Sequence, residues 1–201
     1  MKTVIATLGS LAVLAMVAGC SADTTESEPV GSTESAVSYN KQVSHSVKKQ
    51  LDEVRKATAK YKDVNVAYAD GFINADEETG CTNSPAGTEG FHFINFDRLG
   101  APNNTLEPPI LLYTRDASGK YILAGVEYLQ WVIVNDDVYF GDGRDLPPES
   151  KIAPRLFDRD FDGPMAGHTD DMPWHFDLHV WLWAGNDAGV FQAWNTSMVC
   201  E

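Results

Sequence analysis

The sequence predicts a single α+β domain in which an N-terminal amphipathic helix, or a pair of helices, packs on an antiparallel β-sheet. Apolar residues recur at steps of three and four in the first third of the chain. Runs rich in β-branched and aromatic residues, separated by turn residues, fill the remainder. Helices that precede the strands, rather than alternate with them, favour an antiparallel sheet.

The first predicted helix spans residues 40 to 61, and a short second one follows it. Asp63 is placed to cap the second helix, which Gly71 ends. The apolar stripe of the first helix is formed by Val43, Val47, Leu51, Val54, Ala57 and Tyr61.

Four segments are predicted as strands, which are Phe91–Phe96, Ile110–Thr114, Tyr121–Val134 and His175–Trp183. The turn residues Asp116–Gly119 predict that the second and third of these form a hairpin.

The connection from residue 141 to 173 is rich in Gly, Pro and Asp and is predicted to be irregular. Within it, Asp158, Asp160 and Asp162 precede a glycine with the alternate spacing of a calcium-binding loop. The twelfth position is Thr169 where such a loop needs a bidentate glutamate. A solvated acidic turn therefore remains the alternative to a calcium site.

The strongest candidate for chemistry is the last predicted strand. Side chains alternate along a strand, so His175, Asp177 and His179 lie on one face, with neighbours ~6.5–7 Å apart. Imidazole and carboxylate are ligands for Zn, Cu, Fe and Ni, so the pattern predicts a site for a divalent transition metal.

Three further residues lie in segments that folding could bring to the same face of the sheet. These are His168 in the preceding loop, His92 and Glu127 in predicted strands. The alternative is that the histidines are core residues that hydrogen-bond to loop carbonyls.

The first twenty residues carry an export signal. Lys2 precedes an apolar run from Val4 to Val17, and small residues then lead into Cys20. The segment Val17–Cys20 resembles the bacterial lipobox. The resemblance implies cleavage after residue 19 and a diacylglyceryl thioether on Cys20, often with an N-acyl chain such as palmitate. Two or more acyl chains anchor a protein stably in a bilayer.

Three regions of the chain follow from this assignment. Residues 1–19 form the signal peptide, and residues 20–38 form the lipidated cysteine with a flexible acidic tether. Residues 39–201 form the globular domain. We expect the protein to be exported and held by lipid at the cell membrane or the outer membrane.

The two remaining cysteines, Cys81 and Cys200, are predicted to pair. Oxidation is favoured in an exported chain. Two free thiols, or a metal site that includes a cysteine, are the alternatives. The net charge of −14 excludes nucleic acid as a partner, because no basic patch interrupts it.

A set of short motifs extends over most of the domain. They are 57–61 (ATAKY), 70–72 (DGF), Cys81, 90–95 (GFHFIN), 125–128 (GVEY), 161–168 (FDGPMAGH), 172–183 (MPWHFDLHVWLW), 194–195 (WN) and Cys200. On these motifs the chain resembles a family of uncharacterised exported bacterial proteins. The resemblance implies a shared fold and a shared histidine cluster, and it implies no activity.

We therefore expect a membrane-anchored lipoprotein that binds a divalent transition metal. A metal-dependent enzyme of the cell envelope is one alternative, and it would keep an open coordination position. A metal-free structural or binding module of the envelope is the other.

Overall fold

A computed structural model describes residues 43–100 and 104–200 of the chain. The predicted signal segment 1–19, Cys20 and the tether up to residue 38 lie outside the described residues, as do the first residues of the domain. Within the described ranges, no helix is long and apolar enough to cross a bilayer.

Two α-helices begin the described chain. Helix α1 spans His45–Thr58 and runs into a 3-10 turn, Ala59–Lys62. Helix α2 spans Val64–Ala69. Ser44 caps α1 by accepting the backbone N–H of Val47 at 3.3 Å. The predicted cap of α2 is confirmed, because the Asp63 carboxylate accepts the backbone N–H of Asn65 at 3.0 Å.

Antiparallel strands make up most of the regular structure, as predicted. The strands are β1 Ile73–Asn74, β2 Thr82–Ser84, β3 Gly87–Ile94, β4 Ile110–Arg115, β5 Tyr121–Trp131, β6 Ile133–Val134, β7 Asp137–Val138, β8 Arg155–Leu156, β9 Arg159–Asp160, β10 Asp162–Met165 and β11 His175–Val180. The main sheet has the order β1-β3-β4-β5-β11-β10, and β2 pairs with β3. Strand β11 therefore lies between β5 and β10, although it follows both in the chain.

The two faces of this sheet pack against different groups of residues. One face contributes Phe93, Val126 and Leu178 to the larger core cluster, which also contains Leu51 and Val54 of α1. The opposite face contributes to a smaller apolar cluster of Ile110, Leu112, Ala124, Leu129 and Trp181. The smaller cluster covers only part of its face, and polar side chains occupy the rest.

The connection predicted as irregular contains more structure than expected. It includes a 3-10 turn, Pro148–Lys151, and the hairpin β8–β9, followed by β10 on the main sheet. The hairpin turn is made by Phe157 and Asp158, both at positive φ. Strands β8 and β9 are only two residues long, so the sequence shows no measurable alternation from which they could be predicted.

The three aspartates of the calcium prediction are separated by this hairpin rather than gathered in a loop. Asp158 lies in the turn, and Asp160 in β9 forms an ion pair with Arg155 at 3.3 Å. Asp162 belongs to β10, where it pairs with Asp177 of β11. Strand pairing between β8 and β9 keeps the backbone extended, whereas a calcium loop must curl around its ion.

The predicted disulfide between Cys81 and Cys200 is confirmed. It joins positions 119 residues apart in the chain. Next to it, Thr88 of β3 and Asn195 form an isolated β-bridge, so the segment before Cys200 lies beside β3. The disulfide therefore fixes the late part of the chain to the strand that carries Glu89 and His92.

Candidate metal centre

Strand β11 presents a polar face because its side chains alternate. Phe176 and Leu178 point into the larger core cluster. Asp177 and His179 point to the opposite face, where His179 lies directly across from Glu127 of β5. Strand register therefore places one imidazole and one carboxylate side by side at the centre of the sheet. The strand ends at Val180, three residues before the predicted end at Trp183.

Strand β3 adds two more polar side chains through a β-bulge at Gly90. Residues three apart in a regular strand point to opposite faces. Here two residues of β3 oppose one of β2 between the pairs Thr82–Gly90 and Asn83–Thr88, and Gly90 has φ +84°. A Cβ at Gly90 would lie 2.3 Å from the carbonyl oxygen of Tyr113. The bulge brings Glu89 and His92 to the same side of the sheet.

The four side chains from β3, β5 and β11 converge through the Nε2 atoms of two histidines. His92 Nε2 lies 3.8 Å from Glu89 Oε2 and 3.6 Å from Glu127 Oε2. His179 Nε2 lies 3.8 Å from Glu89 Oε1 and 3.8 Å from Glu127 Oε2. These separations are longer than hydrogen bonds. We call the set Glu89, His92, Glu127 and His179 the His/Glu cluster.

Each histidine of the His/Glu cluster turns its other ring nitrogen toward an aspartate. His92 donates from Nδ1 to Asp76 Oδ2 at 2.7 Å. His179 Nδ1 faces Asp177 Oδ1 at 3.8 Å. A carboxylate behind an imidazole selects the tautomer and aims the other nitrogen forward. Both Nε2 atoms thus face the same pair of glutamates.

Three members of the cluster, Glu89, Glu127 and His179, are buried and His92 is partly buried, and several polar atoms at the site lack partners. His179 is 2 % exposed and Glu127 is 5 % exposed. Among the described residues, the buried side-chain atoms without a hydrogen-bond partner include Glu127 Oε2, Asp177 Oδ1 and both ring nitrogens of His179. Buried polar groups in proteins are nearly always satisfied. Unsatisfied donor atoms gathered at one point could hold a metal ion.

The pKa values reflect burial and the crowding of carboxylates. Burial raises the pKa of Glu127 well above its ordinary value and that of Asp177 to about 7. Burial opposes the charged form of His92, but the hydrogen bond with Asp76 and the nearby carboxylates raise the pKa of His92 to about 9. In the absence of a cation, the cluster therefore holds protons near neutral pH.

His179 behaves in the opposite way to His92. Burial lowers the pKa of His179 to about 3, and the charge on His92 adds to that effect. The imidazole of His179 is therefore neutral at pH 7, which is the form that binds metal.

Two sets of donor atoms lie close enough together to hold one metal ion. One is Glu89, His92 and His179, and the other is Glu127, Asp177 and His179. The structure thus brings together His179, Asp177, Glu127 and His92 of the predicted ligands. Glu89 and Asp76 were not predicted, and a glycine inside a strand pattern was the only signal for the bulge that positions Glu89.

His175 and His168 lie outside these two sets of donors. His175 Nε2 is 3.9 Å from Asp177 Oδ2, and its Nδ1 is 3.2 Å from the carbonyl of Pro173. The His168 ring lies 5.1 Å from the His175 ring, centroid to centroid. The reason is the length of the strand, since residues 175 and 179 on one face lie ~13 Å apart.

No protein-family model, curated protein or solved structure matches the chain.

Proposed function

We propose that the protein binds a divalent transition metal ion in the His/Glu cluster, through Nε2 of His92 and His179 and the carboxylates of Glu89 and Glu127. The observation that carries the proposal is the buried, unpartnered Nε2 of His179, which faces both glutamates at 3.8 Å.

The separations between donor atoms support a shared ion. Metal–ligand bonds of 2.0–2.2 Å to nitrogen and oxygen put neighbouring donors of a tetrahedral centre about 3.3–3.6 Å apart. The nitrogen–oxygen distances in the cluster run from 3.6 to 3.8 Å. They are too long for hydrogen bonds, and the donors of Glu89, His92 and His179 all lie within 4.8 Å of one another.

The charges support a divalent cation. With Asp76 and Asp177 included, four carboxylates surround two imidazoles in a buried volume. Burial of uncompensated negative charge is costly, and a divalent cation offsets it without protons. Metal binding would displace the proton from His92, so affinity should rise with pH.

The donor types narrow the choice of ion. Imidazole and carboxylate suit Zn²⁺ and Fe²⁺, with Cu²⁺ and Ni²⁺ also compatible. Cys81 and Cys200 form the disulfide, so the described residues offer no thiolate as a ligand. Each set of donors close enough to share one ion has three members, and a centre with three protein ligands keeps one position open for water.

The test is elemental analysis of the full-length protein, purified without chelators and then supplied with Zn²⁺ or Fe²⁺. The unmodified protein should hold stoichiometric metal, and His179→Gln and Glu89→Gln should hold none. His45→Gln is the matched control, because His45 is exposed on α1. An unmodified protein that retains neither metal would overturn the proposal.

A second measurement separates loss of metal from loss of fold. Glu127→Gln keeps the shape of the side chain but removes one buried carboxylate. We expect this variant to lose metal while its metal-free form is at least as stable as the metal-free parent, because charge repulsion falls. A metal-free form that is less stable than the parent would indicate a structural role for Glu127.

We propose further that this domain is tethered to a bilayer by lipid on Cys20. The lipobox at Val17–Cys20 and the acidic segment after it support the tether. Cys20→Ser should move the protein from the membrane fraction to the soluble fraction. Membrane retention of that variant would contradict the proposal.

A further inference from the structure

His175 is a buried histidine that the His/Glu cluster does not use. It is 0 % exposed, and its Nε2 has no hydrogen-bond partner. Its Nδ1 lies 3.2 Å from the carbonyl oxygen of Pro173, which can only accept. That contact places the proton on Nδ1 and leaves the lone pair on Nε2, as found for histidines that bind metal.

The loop before β11 folds back over His175 and brings soft donors to it. The His168 ring lies 5.1 Å from the His175 ring, centroid to centroid, at an interplanar angle of 76°. The backbone N–H of His168 donates to the Met172 thioether at 3.5 Å. The His168 imidazole therefore lies against the buried imidazole of His175, and the Met172 thioether lies against the backbone of His168.

Two further features fix this loop. A Cβ on Gly167 would lie 1.9 Å from the carbonyl oxygen of Met172, so the backbone is packed there as tightly as glycine allows. Met165 of β10 is the register partner of His175, which puts its side chain on the same face of the sheet. The residue opposite His175 on the neighbouring strand is thus also a methionine.

We propose that His168, His175 and Met172, with Met165 beside them, form a second metal site that binds a soft monovalent cation, Cu(I). Thioether sulfur selects Cu(I) over the divalent ions that suit carboxylates. These donors are all neutral, which fits a single positive charge better than a double one. The four named residues are not members of the His/Glu cluster, and the two sites are neighbours, because Asp177 lies 3.9 Å from His175 Nε2 and 3.8 Å from His179 Nδ1.

The test is a Cu(I) competition titration of the full-length protein against bicinchoninate under anaerobic conditions. All variants carry Cys20→Ser, since Cys20 is the only cysteine outside the disulfide. We expect stoichiometric Cu(I) binding by the parent and a loss of affinity of at least about tenfold in Met172→Leu. Met198→Leu is the matched control, because Met172 and Met198 pack against the same apolar cluster.

Further variants identify the donors and distinguish a second site from binding of Cu(I) in the His/Glu cluster. His168→Gln, at an exposed position, should weaken Cu(I) binding without affecting folding. Glu89→Gln, which tests the His/Glu cluster, should leave Cu(I) affinity unchanged. Equal Cu(I) affinity in Met172→Leu and Met198→Leu would overturn the second site. Loss of Cu(I) in Glu89→Gln alone would overturn it as well, by placing the ion in the first site.

Discussion

His92 is joined to Asp76 by two hydrogen bonds to a single oxygen. The backbone N–H and the ring Nδ1 of His92 each lie 2.7 Å from Asp76 Oδ2. The backbone N–H of Ala75 also donates to the carbonyl of His92 at 2.8 Å. The loop after β1 is thereby held against β3, and the His92 ring is locked with Nε2 toward Glu127.

Asp76→Asn should weaken metal binding without removing a donor atom. Loss of the carboxylate behind an imidazole typically costs about 10- to 100-fold in metal affinity. A Zn²⁺ competition assay measures the change, and Asp97→Asn, on an exposed loop residue, is the control. Equal affinities in the two variants would show that Asp76 does not orient His92.

The metal-free protein should lose stability as pH rises from 6.5 to 9. The pKa of His92 is raised to about 9, so the folded state holds a proton that the unfolded state releases above about 6.5. The proton on His92 stabilises the folded state fully below about pH 6.5, its pKa in the unfolded state. This stabilisation is lost as the pH rises through about 9, its pKa in the folded state. The pKa of Asp177, raised to about 7, gives a contribution of the same sign, which is lost between about pH 4 and 7 and so mostly below this range.

Urea unfolding at pH 6.5, 7.5 and 9 measures this dependence. With Zn²⁺ bound the slope should reverse, because the ion competes with the proton on His92. His92→Gln should flatten the metal-free profile above pH 7. A metal-free profile that rises with pH would contradict the assignment of the proton to His92.

Gly90→Ala should damage both the fold and the metal site. A Cβ at Gly90 meets the Tyr113 carbonyl oxygen at 2.3 Å, and φ is +84°. Gly119→Ala is a matched control with φ +80° and no atom within 4 Å of the new Cβ. The control should cost about 1–2 kcal/mol from the backbone conformation alone.

The difference in free energy of unfolding between Gly90→Ala and Gly119→Ala measures the cost of the close contact with the Tyr113 carbonyl. Gly90→Ala should also reduce Zn²⁺ affinity, since relaxation of the bulge turns Glu89 away from His92. Equal stabilities of the two variants would mean that the bulge tolerates a side chain.

Removal of the Cys81–Cys200 disulfide should destabilise the domain strongly. It closes a loop with a sequence separation of 119 residues, and the chain-entropy relation gives about 4–5 kcal/mol for a loop of that size. The double variant Cys81→Ser/Cys200→Ser should unfold at a lower urea concentration than the oxidised parent. The reduced parent should match the double variant, and an unchanged midpoint would contradict the expectation.

Local sequence patterns were enough to predict the sheet and three of the four residues of the His/Glu cluster, His92, Glu127 and His179. Alternation in β11 assigned Asp177 and His179 to one face and Phe176 and Leu178 to the other, because the period of a strand is fixed at two. The cap at Asp63 was likewise local, since one side chain bonds to a backbone N–H two residues away.

The rest of the cluster depends on contacts between distant segments. Glu89 shares a face with His92 only because strand pairing with β2 forces a bulge at Gly90. Asp76 reaches His92 from a loop 16 residues earlier in the chain. Neither relationship leaves a periodic pattern, so each needs the folded structure.

Strand β11 inserts between β5 and β10 although it follows both in the chain. Before β11 is inserted, β5 is an edge strand that carries the Glu127 carboxylate. Its unpaired backbone groups can then pair with strands of other chains. An ion shared by His179 and Glu127 would tie β11 to β5 at this border. Metal supply would then govern how readily the newly made chain aggregates or is cut by proteases.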